Sequence, residues 1–473
     1  VVLRIHPVRA DGYRYYVDDL VPGRAEASPV AGESPGVWTG DGRAALGLDG
    51  LVEAPVFAEV LEGRHPVSGA ALRRRRGART VSGFDLTFGA PKSVSILHLL
   101  APGEMAGQVG AGHRAAVEEA VAYLGREGVG VRRIRQGRVA YVGATGAVAG
   151  AFVHRTSRDL DPHLHTHLVV ANVAQGLDGT WSAVDSRRLF HHRAVAQSLY
   201  HARLRFELTG RLGVAWTVRP SGLGDVVGVD PVLRGLFSQR AASMAEYDVR
   251  RSGVRHRTGD RAGAGAGAGA GIRSQASFHA TRSDKDRSWT VEALATRWKE
   301  RATDLGFDLG DLTRVVGLGR DAARSAPDHP TDTDRLVSRI EALAGPGGTV
   351  SRRQLVEAVA TASIGGAPAH HVESIADAIA VEAGTPDRVR SDVGPGSSRW
   401  AAGSLIRVVE RRPEVVMAPD GPAHGSDRSR GAGSGPEMGR PRARGQEVGS
   451  FDRSPRGTWR GGTRRPTGDG LVR

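Results

Sequence analysis

Three histidines alternate in the stretch DPHLHTH, at His163, His165 and His167. Successive side chains of a strand point to opposite faces, so an extended conformation puts all three imidazoles on one face. A fourth histidine, His154, closes the upstream stretch AGAFVH. The intervening RTSRDLDP is rich in turn formers, so the two stretches are expected to pair as an antiparallel hairpin. His154 then lies opposite His165 or His167, with Cβ atoms about 5 Å apart, or about 7–8 Å on the diagonal. Three imidazoles converging in this way suit a divalent metal with positions left open for water or substrate. His163 shares the face, but its place near the Asp161-Pro162 turn leaves its role open from spacing alone.

A second stretch, Phe84-Asp85-Leu86-Thr87-Phe88, also alternates. Phe84, Leu86 and Phe88 are candidates for a core, and Asp85 reads as a solvated position on the opposite face. Gly89-Ala90-Pro91 breaks the strand, and Lys92-Ser93-Val94-Ser95 begins a helix-like run. Amides at such a start, with the Lys92 ammonium and the serine hydroxyls, suit a phosphate. Near the N-terminus, GYRYYVDDL holds Tyr13, Tyr15 and Tyr16. A phenol with an ordinary pKa of about 10 is usually a packing residue. It becomes a nucleophile where a base and a divalent metal ease the loss of its proton, which Asp85 and the histidines would supply.

These groups need a scaffold. Val1 to about Val316 reads as an α+β unit, a central antiparallel β-sheet flanked by α-helices. Strands are expected at Arg138–Gly143, Ala147–Arg155 and His163–Val173. Helices are expected at Leu189–Leu212 before Gly213, at Pro231–Val249 and at Thr290–Leu305. AGAGAGAGAG, Ala262–Gly271, reads as the centre of a flexible insertion at about 253–276. A small, mainly helical module is expected at 330–411, with helices at Asp334–Leu343, Ser351–Ala362 and His371–Ala383. Beyond it the composition turns to Gly, Ser, Pro and Arg, and 412–473 reads as a basic disordered tail.

The 473 residues carry 65 Lys and Arg against 51 Asp and Glu, a net charge of +14. That balance suits a polyanionic partner, nucleic acid being the usual one. The absence of cysteine excludes disulfides and thiolate metal sites. No apolar run approaches a membrane span, and the first residues lack the apolar core of a secretory signal, so a cytoplasmic protein without membrane insertion is expected. There is no phosphate-loop motif, hence no expected helicase motor. Arg73–Arg76, Arg132, Arg133, Arg155, Arg158, Arg203 and Arg205 are the candidates for a basic groove that would hold a nucleic-acid strand.

Tyr15-Tyr16, FDLTFGAPKSVS (Phe84–Ser95) and FVHRTSRDLDPHLHTHLVVAN (Phe152–Asn172) resemble, in order, the three motifs of conjugative relaxases of the MobF (TrwC/TraI-like) class, within the HUH endonuclease superfamily. The resemblance covers about residues 1–320, with FHATRSDKD (Phe278–Asp286) near its end. It implies a palm-like sheet, with His154, His165 and His167 binding one divalent ion: Mg, Mn, Zn, Ni or Co. It makes Tyr15 the nucleophile with Tyr16 as runner-up. Asp85 would orient a ligand histidine and help deprotonate the tyrosine. Lys92, Arg155, Arg158 and Arg203 are the candidate DNA contacts. The implied activity is nicking and rejoining of one strand at a plasmid or integrative-element transfer origin. A 5′-phosphotyrosine link and a free 3′-hydroxyl would form, initiating conjugative transfer. Implied partners are single-stranded DNA at the origin, accessory relaxosome and coupling proteins, and a separate helicase.

The sequence departs from that pattern in two places. Many members carry a second tyrosine pair, whereas VPGRAEASPVAGESPGVW contains no tyrosine before Trp38. Many also continue into a helicase, and 330–411 resembles the start of the linking segment before the basic tail takes over. Both departures support an alternative expectation, a catalytically inactive, relaxase-derived single-stranded DNA-binding protein.

Overall fold

The computed structural model describes residues 3–9, 35–74, 80–157, 159–239, 243, 289–319, 332–344, 348–389 and 397–411. Tyr13, Tyr15, Tyr16, Arg75, Arg76, Arg158, the Ala-Gly run, FHATRSDKD and the tail from residue 412 lie outside the described residues. The chain divides into two units, Val1–Pro422 and Ala423–Arg473, and the second lies wholly outside them.

The first part of the chain runs β1 (Arg4–Arg9), β2 (Val37–Thr39), α1 (Ala54–Glu62), β3 (Val81–Gly89), α2 (Lys92–Leu100) and α3 (Met105–Tyr123). Next come β4 (Gly130–Arg135), β5 (Arg138–Gly143), β6 (Ala149–Thr156), β7 (Pro162–Ala171), β8 (Ala174–Gln175) and β9 (Trp181–Ser182). They lead to α4 (Ser186–His191), α5 (Arg193–Leu212), β10 (Trp216–Val218), β11 (Gly224–Val226), α6 (Pro231–Leu236) and α7 (Val291–Asp304). The last group is α8 (Asp332–Ala344), β12 (Thr349–Ser351), α9 (Arg352–Ala362), α10 (Ala369–Glu382), β13 (Asp387–Val389), β14 (Ser397–Ala401) and α11 (Ala402–Arg411).

The central sheet has the order β1-β3-β7-β6-β2, antiparallel at every pairing. Strand alternation divides its two faces. Phe84, Leu86 and Phe88 of β3 join Leu164, Leu168 and Val170 of β7 in a core shared with α2, α3 and α5. The opposite face is closed over part of its area by α1, whose Phe57, Val60 and Leu61 fall on one helical stripe. Phe57 stacks edge-to-face on Trp38 and Phe152, at 5.8 and 5.5 Å between ring centroids. Helix α1 stops at Gly63, whose φ of 80° is the left-handed conformation a helix end takes at glycine. The histidines occupy the remainder of this face.

Local sequence and element agree closely for β6 and β7 and diverge elsewhere. The strand β5 pairs with β4, not with β6. The helix expected at Leu189–Leu212 starts earlier, at Ser186, where Asp185 caps it, and breaks at His192. A buried hydrogen bond from the Tyr123 hydroxyl to His192 Nδ1, 2.8 Å long, holds that ring at the break. The second half ends at Gly213 as expected, with φ 64°. Within the window Pro231–Val249 the described helix is α6, capped by Asp230. Among the described residues, no helix is long and apolar enough to cross a membrane.

Candidate metal centre

Pairing of β6 with β7 sets His154 directly opposite His165, and Phe152 opposite His167. Ring centroids of His154, His165 and His167 are 5.1–5.4 Å apart, and one ligand atom from each lies within 4.8 Å of the others. Among the described residues this is the one histidine and carboxylate cluster with such convergence. His165 Nδ1 donates to the carbonyl of His163 at 2.9 Å. His167 Nδ1 donates to both Asp85 oxygens, at 2.9 and 3.0 Å. Carbonyl and ionised carboxylate oxygens can only accept, so in both rings Nδ1 carries the proton and Nε2 keeps its lone pair. Burial lowers His165 to about 3. The neutral imidazole is the form that binds a metal. The donor set therefore fits a divalent ion.

His163 stacks on His165, with centroids 4.6 Å apart and planes 21° from parallel. It contributes a ring face and a backbone carbonyl, and stands outside the convergent set. Asp85 corrects the sequence expectation: its side chain is 6% exposed, not solvated. Its strand lies between β1 and β7, and His6 of β1 registers opposite it.

The strand is also held from behind. Thr166 lies between the two β7 histidines and so faces the helical layer. Its Oγ1 is 2.8 Å from His113 Nε2, and His113 Nδ1 is 2.9 Å from the Tyr200 hydroxyl. All three side chains are buried, and burial lowers His113 to about 3. Sequence reasoning missed this trio. The signal available was a histidine among Gly and Ala on the inward stripe of α3.

At the start of α2 the expected phosphate cradle is committed to scaffolding. Ser93 Oγ donates to Asp225 and accepts from the Val226 amide. Ser95 Oγ donates to the Pro91 carbonyl and accepts from the Leu164 amide. Lys92 Nζ donates to the Pro162 carbonyl at 2.7 Å, and burial lowers it to about 8. The β6–β7 turn is clasped further by Gln239, whose backbone and side-chain nitrogens donate to Asp161 at 2.9 and 2.7 Å. Trp298 Nε1 donates to the Leu160 carbonyl at 2.7 Å.

The candidate arginines divide. Arg203 is drawn into ion pairs with Glu119 and Glu207 in the helical layer, away from the histidine face. Arg205 is 1% exposed, an interior group. Arg73 is buried, and Arg133 is tied to Asp178 and Ser182. Arg155 sits at a register irregularity of β6 and lies close enough to His98 of α2 to act on it electrostatically. Exposed charge and apolar surface meet instead on the β4–β5 ribbon. There Ile134 and Val139, 79% and 65% exposed, pair beside Arg132 and Arg138. Its tip, Gln136-Gly137, has φ 51° and 74°, as a tight two-residue hairpin requires.

The chain matches the TrwC relaxase family over residues 9–305. It belongs to that family. Two curated relatives are both described as multifunctional conjugation protein TraI. The one from Escherichia coli is 29% identical over 276 residues, 58% of this chain and 15% of the relative. The one from Escherichia coli strain K12 is 29% identical over 305 residues, 64% of this chain and 16% of the relative. The chain thus spans about a sixth of the length of these TraI relatives. A solved structure described as conjugative relaxase TrwC with OriT DNA in a metal-bound form is 27% identical, with a TM-score of 0.53. It corresponds to 65% of this chain and 100% of that one. TrwC complexed with a 27-mer DNA comprising the recognition hairpin and the cleavage site is 26% identical, with a TM-score of 0.54 and the same coverage. Residues 306–473 of this TrwC-family chain lie beyond the family match.

Proposed function

We propose that the chain nicks and rejoins one DNA strand at a transfer origin, as a conjugative relaxase working in the cytoplasm with accessory relaxosome and coupling proteins. The observation that carries this reading is the convergence of His154, His165 and His167 on one sheet face, with two of the three Nδ1 atoms already engaged as donors. A small-substrate hydrolase would need the histidines alone. Family membership and the metal-bound, DNA-bound relatives favour DNA.

In this proposal His154, His165 and His167 hold one divalent ion. A nitrogen-only donor set suits Zn, Mn, Ni or Co better than Mg. When bound, the ion supplies positive charge to a non-bridging oxygen of the scissile phosphate. Asp85 fixes the tautomer and tilt of His167, and the His163 carbonyl does the same for His165. Tyr15, or Tyr16 beside it, attacks phosphorus through its phenolic oxygen after losing its proton to a base. A new P–O bond forms to the tyrosine, and the bond to the 3′ oxygen breaks. That oxygen takes up a proton and leaves as a free 3′-hydroxyl. The number of phosphate ester bonds is conserved, so the reverse attack reseals the strand without ATP.

The test is incubation of the full chain with an end-labelled single-stranded transfer-origin oligonucleotide and Mn²⁺, followed by a denaturing gel. A covalent adduct is expected, absent with chelator and in the Tyr15→Phe/Tyr16→Phe double variant. An adduct that persists in that variant removes the nucleophile assignment. Single-strand binding without cleavage under any metal supports the non-catalytic alternative.

A further inference from the structure

Residues 332–411 lie beyond the family match and pack against the helical layer of the nicking domain. Their order is helix, strand, helix, helix, strand, strand: α8, β12, α9, α10, β13, β14. The strands form one antiparallel sheet in the order β12-β14-β13. That order and pairing are those of winged helix–turn–helix domains. In DNA-binding helix–turn–helix proteins the second helix of the pair, here α10, enters the major groove.

In this chain the N-terminal end of that helix is engaged by protein. The first amide of α10, Ala369 N, donates to Glu119 of α3 at 2.7 Å. Arg126 holds both oxygens of Glu373 on α10 at 2.8 Å. The turn between α9 and α10 is drawn onto α5 by Arg205. Its buried guanidinium donates to the carbonyls of Ala360, Ser363 and Ile364, and to that of Gly222, at 2.7–3.0 Å. Charged donors on backbone acceptors are strong bonds where water is excluded. In the same turn Gly366 has φ 83°, and a side chain there would collide with the α5 backbone at Ala202 and Phe206. Electrostatics agree. Helix α10 carries neither lysine nor arginine, and its Glu373 and Asp377 are spent on Arg126 and Arg352, so the helix brings no cation of its own to a phosphate.

We infer that Asp332–Arg411 is a winged helix whose recognition helix is turned from nucleic acid to protein, its partner being the α3–α5 layer of the same chain. The turn Ser363–Pro368 is the docking element, and Arg205 with Gly366 fixes its seat. The module braces the two helices that carry His113 and Tyr200, on the side away from the sheet.

Hydrogen exchange on the full chain tests this. Arg205→Met and Gly366→Ala are each expected to speed amide exchange in α9 and α10 at least tenfold, with β3 unchanged. Unchanged protection in both variants overturns the docking. If Arg205→Met does not fold, the charge swap decides. Arg126→Glu or Glu373→Arg alone should speed exchange in α10 two- to fivefold, and the double variant should restore it. Failure of the double variant to restore protection counts against the interface. The exposed positions of α10 are altered separately as Ser374→Glu/Ala378→Glu. Affinity for a short DNA duplex should stay within twofold, and a tenfold loss identifies a DNA-reading helix and overturns the proposal.

Discussion

The histidines of the sheet face and those of the helical layer are the same residue put to opposite use. His165 and His167 each spend Nδ1 on a fixed acceptor and leave Nε2 directed at neighbouring imidazoles. His113 spends both nitrogens, on Thr166 and Tyr200, and has nothing left to offer. His165 and His113 are both buried and both held neutral by burial. Burial and a lowered pKa therefore do not separate a ligand from a core histidine. The count of uncommitted ring nitrogens does, together with whether those nitrogens converge.

The comparison can be broken by substitution. The largest effect is expected for His165→Ala. Metal-dependent nicking should fall at least about a thousandfold, with the metal-free melting temperature held or raised, as measured by strand cleavage and calorimetry. Next is Asp85→Asn, which keeps the shape but weakens the acceptor opposite His167 Nδ1. Metal affinity by titration should fall about 10–100-fold. His113→Ala should do the reverse of His165→Ala. Loss of two buried hydrogen bonds, with Thr166 and Tyr200 left unpaired, should cost about 3 kcal/mol of stability, read by denaturant unfolding. If His113→Ala leaves stability intact while metal binding collapses, the division between the two sets is wrong.

Acid sharpens the contrast. His113 and His192 are held near 3 in the folded chain, below the ordinary 6.5. The unfolded chain therefore takes up protons first as pH falls. Their contribution is complete above 6.5 and is lost progressively between 6.5 and 3. With chelator present, the melting temperature should decline across that interval, and less steeply in His113→Gln. The smallest effect belongs to the exposed β4–β5 ribbon. Ile134→Ala should weaken origin-DNA binding two- to fivefold in an anisotropy titration without touching metal affinity.

How much of this was legible in the sequence follows from what each signal depends on. Alternation in PHLHTH and AGAFVH is a local property, and it placed β6, β7 and the facing of their histidines closely. The Phe84–Phe88 alternation gave the right face for Asp85 but the wrong solvation. Burial there depends on β1 and β7 lying on either side, which no local pattern records. The partners of the arginines were hidden for the same reason. Arg203 and Arg205 sit two apart on one helix, yet one pairs with Glu119 and Glu207 while the other holds backbone carbonyls as distant as Ile364. Glu207 is within helical reach of Arg203, but nothing nearby in sequence announces Glu119 or the distant carbonyls. The ring at the break, His192, is held by Tyr123, a partner on another helix that no local pattern records.

The clasp at the β6–β7 turn has a consequence for how this gene can change. Gln239 and Trp298 are fastened to adjacent residues, Asp161 and Leu160. The described residues on either side of the Ala-Gly repeat are thus tied to a single spot. Gain or loss of repeat units by slippage during replication would fall between these two moorings. Copies of the gene differing only in repeat number should share one metal affinity.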